Sequence, residues 1–420
     1  PLGAVVDILR QVASDGRRFQ RGEIELADMQ AQAPLFLQWG LRPVTALFAE
    51  HGISEAASAV LLGEQGDYAV RPSKTPTALA AGLTDHYMRG AFYPEGGGQA
   101  MAGRLVEAIR AFGGEVRTRA PVRRVRIEKG RAAGVTLDKT GEEIDAGVVV
   151  SNADLKRTVL ELVGEAHFSK ETVERIRSFR MSLPLFCVYA GLELDLVAQH
   201  LPNTNHWLWG TTDIEGIYER VENGELPNEN LAYLTITSLR DPASRQVAPE
   251  GCTNLQVMTL VPHDYGVWNV ERGPEAGGRY HRDPEYRRRK TRLMDELLET
   301  AERIVPGLRE QVLWKEAATP VTQERFTHST GGTSYGIEYA TDQMGPARIG
   351  YATDVPGLFL CGASTPAGHG IANVMFSGLR AAEAASGREI RTKVLAGEVI
   401  GDRSLLPALR DDWDAWRESH

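Results

Sequence analysis

The sequence predicts a mixed α/β fold with a second domain, and three stretches predict it. Residues 91–155 read as a helix, a strand and a strand meander. Residues 355–385 read as an apolar strand, a loop of small residues and a helix. Between them, residues 156–330 carry strand-like runs separated by irregular, polar, proline-containing segments and read as a second domain.

Taken in order, residues 1–90 are mostly helical. The apolar run 34–48 is split by Gly40 and Pro43, 56–62 is a short helix candidate, and 75–88 is another with Pro76 in its first turn. In AFYPEGGGQAMAGRL (91–105) a proline and a glycine run precede a helix. Met101, Leu105 and Ile109 recur every four residues, which predicts one apolar face, and Gly113-Gly114 ends it. Strands with turns at Gly130 and Gly141 follow, ending on a buried strand at 148–150. Further strands are expected at 185–192, 231–239 and 254–262. Residues 287–304 form an amphipathic helix with Leu293, Leu297 and Ile304 in register, its basic start 287–290 being solvated. The expected division is a helical part at 1–90, parts at 91–155 and 331–390, a second domain at 156–330 between them, and a charged helical tail at 391–420.

Composition excludes several classes. With 42% hydrophobic and 25% charged residues the 420-residue chain is an ordinary globular one. A net charge of -9 speaks against nucleic acid, whose phosphates need a basic surface. Cys187, Cys252 and Cys361 are too few and too scattered for a disulfide framework or a zinc site, which points to a reducing, cytoplasmic interior. No stretch approaches the ~20 apolar residues of a membrane helix. His51, His86, His206, His263 and His281 form no HxxxH pattern, so no metal is expected. The first twelve residues lack a basic start, a cleavage site and an initiator Met, so the chain is expected to begin inside a longer protein.

The segment that carries chemistry is VPGLFLCGASTPAGHGIANVMFSGLRAAEAA (355–385). The strand ends at Gly362, small residues fill 363–370, and a helix starts at Ile371. Small residues let a flat ligand approach the backbone, and the free N–H groups of a helix start stabilise negative charge. An ordinary strand-to-helix turn reads the same way.

This segment resembles the C-terminal flavin motif of the phytoene desaturases, retinol saturases and amine oxidases. The matching residues are Gly357 to Gly362, then His369-Gly370-Ile371, then Ser377-Gly378 with Ala381-Ala382. Phe92-Tyr93-Pro94-Glu95-Gly96-Gly97, Pro121 to Val125 and Ser151 to Asp154 resemble further elements in the same order. So do Thr319-Pro320 with Glu324-Arg325, Ser334-Tyr335-Gly336, Gln343 and Arg348, while 238–251 and 262–268 lean towards the retinol saturase branch. The resemblance implies an incomplete FAD-binding Rossmann-like domain, made of residues 91–155 and 331–390, with an inserted α+β substrate domain of roughly 156–330 plus residues 1–90. It implies FAD held by Val122 at the adenine, by Asn152 and Ala153 at the crossing strand, by Gly362 and Ala363 along the ribityl chain, and by the N–H groups of Gly370, Ile371 and Ala372 at the flavin. The family's opening GxGxxG unit does not occur in these 420 residues, because Gly96-Gly97-Gly98 follows no buried strand and no suitably placed acid follows it. FAD is therefore expected to bind poorly unless that unit is supplied.

Hydride chemistry on a flavin needs one acid or base nearby. His369 and Tyr335 are the candidates; the plain alternatives are a loop-capping His and a packed Tyr. Tyr93 and Glu95 are similar candidates. Trp207-Leu208-Trp209 fits a lipophilic channel or a core position equally. The implied activity is desaturation, saturation or isomerisation of a carbon–carbon bond in a lipophilic, isoprenoid or carotenoid-like small molecule. Peripheral membrane contact is compatible with it, and the oligomeric state is left open. The rivals are an amine oxidase-like flavoenzyme and a non-enzymatic lipid- or prenyl-binding module of the same fold.

Overall fold

The computed structural model describes residues 1–226, 231–274, 279–408, 410 and 413–419. Ten strands are described: β1 Val122–Glu128, β2 Arg131–Leu137, β3 Glu143–Asp145, β4 Val149–Ser151, β5 Leu185–Leu192, β6 His206–Trp209, β7 Leu231–Ile236, β8 Thr253–Leu260, β9 Val312–Ala318 and β10 Leu358–Leu360. The long helices are α1 Leu2–Arg21, α2 Thr77–Met88, α3 Gly97–Ala111, α4 Pro284–Ala301 and α5 Ile371–Ser386.

The inserted unit is a five-stranded antiparallel sheet in the order β6-β7-β8-β5-β9. In β8, Thr253, Leu255, Val257 and Thr259 are buried and alternate with half-buried residues, which is the period-2 signature of a sheet covered on one face. Leu293, Met294, Leu297, Leu298 and Ala301 of α4 cover that face, and Phe186 stacks on Trp268 with ring centroids 5.5 Å apart. Asp283 starts α4 by accepting the Tyr286 N–H, with Pro284 in the first turn. β7 stops at Ile236, where a short helix Thr237–Arg240 replaces the last residues of the expected strand.

The N-terminal helices build a second core on this sheet, in which Val5, Val12, Trp39 and Leu47 meet Leu183, Tyr218 and Leu260. Pro43 caps the helix Val44–Glu50 and Pro76 caps α2; the two residues form an isolated bridge.

The third part holds the antiparallel meander β1-β2-β3 and a two-stranded parallel sheet, β4 beside β10, followed by α5. Two expectations fail here. The strand at 148–150 is an edge strand, with Val148 and Val150 47% and 46% exposed. Nor is the Met101, Leu105, Ile109 stripe the buried face of α3, since Leu105 is 53% and Ile109 45% exposed. The buried residues are Gly97, Ala100 and Gly103, because small side chains admit Trp413; a Cβ on Gly103 would lie 3.0 Å from its ring. Arg104 sits over the same indole, whose Nε1 donates to Glu107 at 2.7 Å. Cys361 lies just past β10 and is half-buried rather than inside a buried strand.

Candidate functional site

The β10 strand is pinned to β4 in register, Leu358 to Val149 and Leu360 to Ser151, and the Cys361 N–H donates to the Ser151 carbonyl at 3.0 Å. The chain then turns at Gly362, whose φ of +97° suits glycine. Its N–H donates to Ser377 Oγ at 2.7 Å, tying the loop to the second turn of α5. A Cβ there would lie 2.1 Å from Asn152 Oδ1, so Gly362 and Asn152 are in close contact. Ala153 follows, exposed, its N–H donating to Ser151 Oγ at 3.3 Å. Val122 sits apart at the start of β1, opposite Leu137.

The loop from Ala363 to Gly370 is fixed from below by Arg348, which is 2% exposed. Its guanidinium donates to the carbonyls of Gln343 (2.8 Å), Ala363 (2.7 Å), Thr365 (3.3 Å), Ile337 (2.8 Å) and Glu338 (3.3 Å). No described carboxylate pairs with it, and burial lowers its pKa to about 10, which leaves it charged at neutral pH. It also lies 4.3 Å from the centre of the Tyr339 ring.

Gly370, at φ +95° and ψ +146°, leads into α5 without a side-chain cap, and a Cβ on it would meet nothing within 4 Å. Ile371 and Ala372 are exposed at this helix start. The first N–H groups of α5 thus face open space beside a glycine-lined cradle, a fit for the flat, electron-rich edge of a flavin. The strand–Gly loop–helix unit, Asn152 and Ala153 are brought together; Val122 joins them only through the meander.

Tyr335 and His369 do meet: their rings stack with centroids 4.5 Å apart, and Tyr339 stands edge-on to His369 at 6.0 Å. His369 Nε2 faces the Asp67 carbonyl at 3.0 Å, so it carries the hydrogen and Nδ1 carries the lone pair. Nδ1 is shielded from water and has no partner among the described residues. Burial holds the ring well below its usual pKa, at about 4, against the opposing bond to the Asp67 carbonyl. At neutral pH its one ring proton is therefore committed to a carbonyl, and its free lone pair is on Nδ1. Burial raises the Tyr335 hydroxyl above its usual range, so it also stays protonated.

Sequence reasoning missed Glu64 and Asp67. Burial pushes Asp67 up to about 6, opposed by the hydrogen bond from Tyr87 Oη at 2.9 Å. Burial, and then the Asp67 charge, pushes Glu64 up to about 7. Two acids three apart in the otherwise uncharged stretch LLGEQGDYAV were the available signal. Such acids bind their protons more tightly folded than unfolded. Their stabilisation is complete below the ordinary values of 3.8 and 4.5 and is lost as pH rises through about 6 to 7. Asp67→Asn is therefore expected to gain thermal stability relative to wild type as pH rises from 4 to 7, read as a widening Tm difference in thermal melts.

Trp207 stacks on Tyr233 at 4.2 Å and backs Gly66, where a Cβ would lie 2.2 Å from its ring; the indole is half-buried beside this cluster. Tyr93 lies under Arg240. Among the described residues, no group of three or more His, Cys, Asp or Glu stands where it could hold a metal ion, and no helix is long and apolar enough to cross a membrane.

No family model matches the chain. Over 340 residues, 78% of this chain and 54% of the relative, it is 28% identical to the all-trans-retinol 13,14-reductase of Macaca fascicularis. Over 292 residues, 69% of this chain and 52% of the relative, it is 30% identical to the neurosporene-forming phytoene desaturase of Cereibacter sphaeroides. The chain is thus similar to retinol reductases and phytoene desaturases. It spans about half the length of these curated relatives. Among solved structures it is similar to an oxidoreductase from Methanosarcina mazei, with a TM-score of 0.54 at 17% identity, covering 88% of this chain and 74% of that one. That likeness bears on the fold alone, and the expected class holds: a Rossmann-like α/β domain with an inserted α+β unit.

Proposed function

We propose that this chain is part of an FAD-dependent oxidoreductase that desaturates, saturates or isomerises a carbon–carbon bond of a lipophilic, isoprenoid small molecule. The observation that carries the reading is the Gly362 cradle between Asn152 and the uncapped start of α5, locked by Arg348. When bound, the flavin supplies hydride transfer. The chain's own residues would do the rest. Gly362, Ala363 and Asn152 would line the ribityl side, and the N–H groups at Gly370, Ile371 and Ala372 would take the negative edge of the ring. The stacked Trp207–Tyr233 pair and the Tyr335 ring on His369 would orient an apolar chain and exclude water. Val122 is assigned to the adenine end on the resemblance of its segment alone. Peripheral contact with a membrane suits such a substrate.

Among the described residues, no second strand–glycine loop–helix unit stands ready for a pyrophosphate, and the outer edge of β4 carries no strand. The chain of 420 residues is therefore expected to emerge colourless after mixing with FAD and desalting. The same chain preceded by a strand–GxGxxG–helix–strand unit is expected to keep flavin absorption bands that bleach or recover on turnover with all-trans-retinol or phytoene. Retention by the shorter chain would overturn the dependence on that unit. A colourless extended form would overturn the flavoenzyme reading. Peroxide release with amines instead of polyene turnover would favour the amine oxidase-like alternative.

A further inference from the structure

A half-open cavity of about 610 Å³ lies where the N-terminal helices, the end of β8 and the chain after β4 meet. None of its lining residues belongs to the Gly362 cradle or to the Tyr335–His369 stack. Its volume falls in the range of ~300–1,000 Å³ typical of small-molecule sites. Phe179, Met181, Leu183, Val221 and Pro262 give it an apolar wall. Bonds between distant segments fix its shape. His263, just past β8, places Nδ1 3.2 Å from the Gly331 carbonyl and Nε2 3.3 Å from the Met181 carbonyl. The Glu338 N–H donates to the Arg180 carbonyl at 2.9 Å. Asp154 accepts from the Thr330 N–H at 3.0 Å and from the Thr330 hydroxyl at 2.7 Å. A cavity shaped before its ligand arrives loses less free energy on binding.

Lys74, Arg180 and Lys156 bring positive charge to this wall, and two of them are already paired. Lys74 Nζ lies 3.0 Å from Glu222 and 3.6 Å from Glu338. Arg180 meets Glu338 and Asp342, each at 2.6 Å. Lys156 is half-buried and has no described carboxylate in ion-pair range; its one described acceptor is the Arg177 carbonyl at 3.1 Å. An ammonium carries three N–H donors, so two are left over. Burial lowers its pKa from the usual value, opposed by the charge of Asp154, whose two oxygens are committed to Thr330 and the Arg157 N–H. Asp264, a further acid of the lining, is exposed and accepts the Gly266 N–H at 2.7 Å. One spare positive charge beside an apolar wall selects a single negative charge on a hydrocarbon body. A phosphate group would bring a second negative charge towards Glu222 and Glu338. We propose that this cavity is a second ligand site, which takes an amphipathic monocarboxylate with its carboxylate on Lys156 Nζ and its hydrocarbon body against Met181 and the neighbouring apolar side chains. The site goes beyond the flavoenzyme reading and needs no flavin.

The test uses the 420-residue chain without flavin, its eight methionines labelled with carbon-13 methyl groups and the Met181 signal identified from Met181→Leu. Octanoate and geranate, one carboxylate on a straight and on a branched isoprenoid body, are titrated separately. The Met181 signal is expected to move and saturate with at least one of them at a Kd below about 1 mM, and the tighter of the two names the preferred body. Octan-1-ol and geraniol, which lack the charge, are expected to bind at least about tenfold more weakly than the matching acids. Lys156→Gln should lose about tenfold or more in affinity for the acid with its melting temperature little changed, and Lys156→Arg should stay within about fivefold of wild type. Inorganic phosphate at about 5 mM should not displace the acid. A Met181 signal unmoved by about 5 mM of either acid would overturn the proposal. So would alcohols that bind as well as the acids, acid binding unchanged in Lys156→Gln, or displacement by phosphate. The alcohol comparison is made on the wild-type chain and decides the role of the charge even if a Lys156 variant fails to fold. None of these results touches the flavin cradle, so the flavoenzyme reading stands or falls by its own test.

Discussion

Arg348→Leu is expected to lose about 3–5 kcal/mol of stability, a large share of the ~5–15 kcal/mol a domain of this kind has. The reason is the number of partners, not the charge alone. Arg348 has no described counter-ion and instead serves five carbonyls from three segments: Ile337 and Glu338, Gln343, and the loop at Ala363 and Thr365. Glu338 and Thr365 keep a second donor each, from Gln343 Nε2 and the Gly368 N–H. The Gln343, Ile337 and Ala363 carbonyls lose a bond of 2.8 Å or shorter, and a buried acceptor left unmet costs ~1–3 kcal/mol before relaxation. Arg348→Lys keeps a charge but loses the planar fork, so it should recover only part of the loss. Urea midpoints with unchanged slopes would measure both. A loss below ~1 kcal/mol for the leucine variant would mean that water replaces the guanidinium and that the loop does not depend on it.

Gly362→Ala is the second large effect expected. A left-handed φ of +97° strains any L-residue, by roughly 1–2 kcal/mol. The new Cβ would also start 2.1 Å from Asn152 Oδ1, so Asn152 or the loop must move. A stability loss of about 2–3 kcal/mol should accompany at least tenfold weaker flavin retention in the extended protein. Gly378→Ala is the internal control. It lies within α5 with nothing within 4 Å of an added Cβ, and removing a helical glycine should stabilise by about 0.5–1 kcal/mol. If Gly362→Ala behaved like Gly378→Ala, the close approach at Asn152 would carry no functional weight.

Local chemistry was legible wherever one segment decides its own structure. The stops at Gly113-Gly114, the Pro76 helix start, the meander turns at Gly130 and Gly141, and the β10–loop–α5 unit all depend on backbone freedom within a few residues. The pairing of Tyr335 with His369 was anticipated as two separate candidates, not as a stack. Arg348 was noticed by its place in a motif, but its role needed carbonyls from three segments that only the fold brings together.

The sequence by itself determined the α/β class with its insertion, the small-residue cradle after β10 and the order of the segments around it, because glycine placement and hydrophobic period act locally. Tertiary structure decided which apolar faces find partners. Periodicity marks Leu105, Ile109, Val148 and Val150 as apolar but does not say what covers them, and Trp413 takes the glycine face of α3 instead. It also decided the protonation of the site. Burial and a carbonyl 302 residues away in the chain fix His369 as neutral, and burial likewise raises the Glu64 and Asp67 carboxyls above their usual range. Charge on a side chain is set by its surroundings in space, which spacing along a chain does not encode.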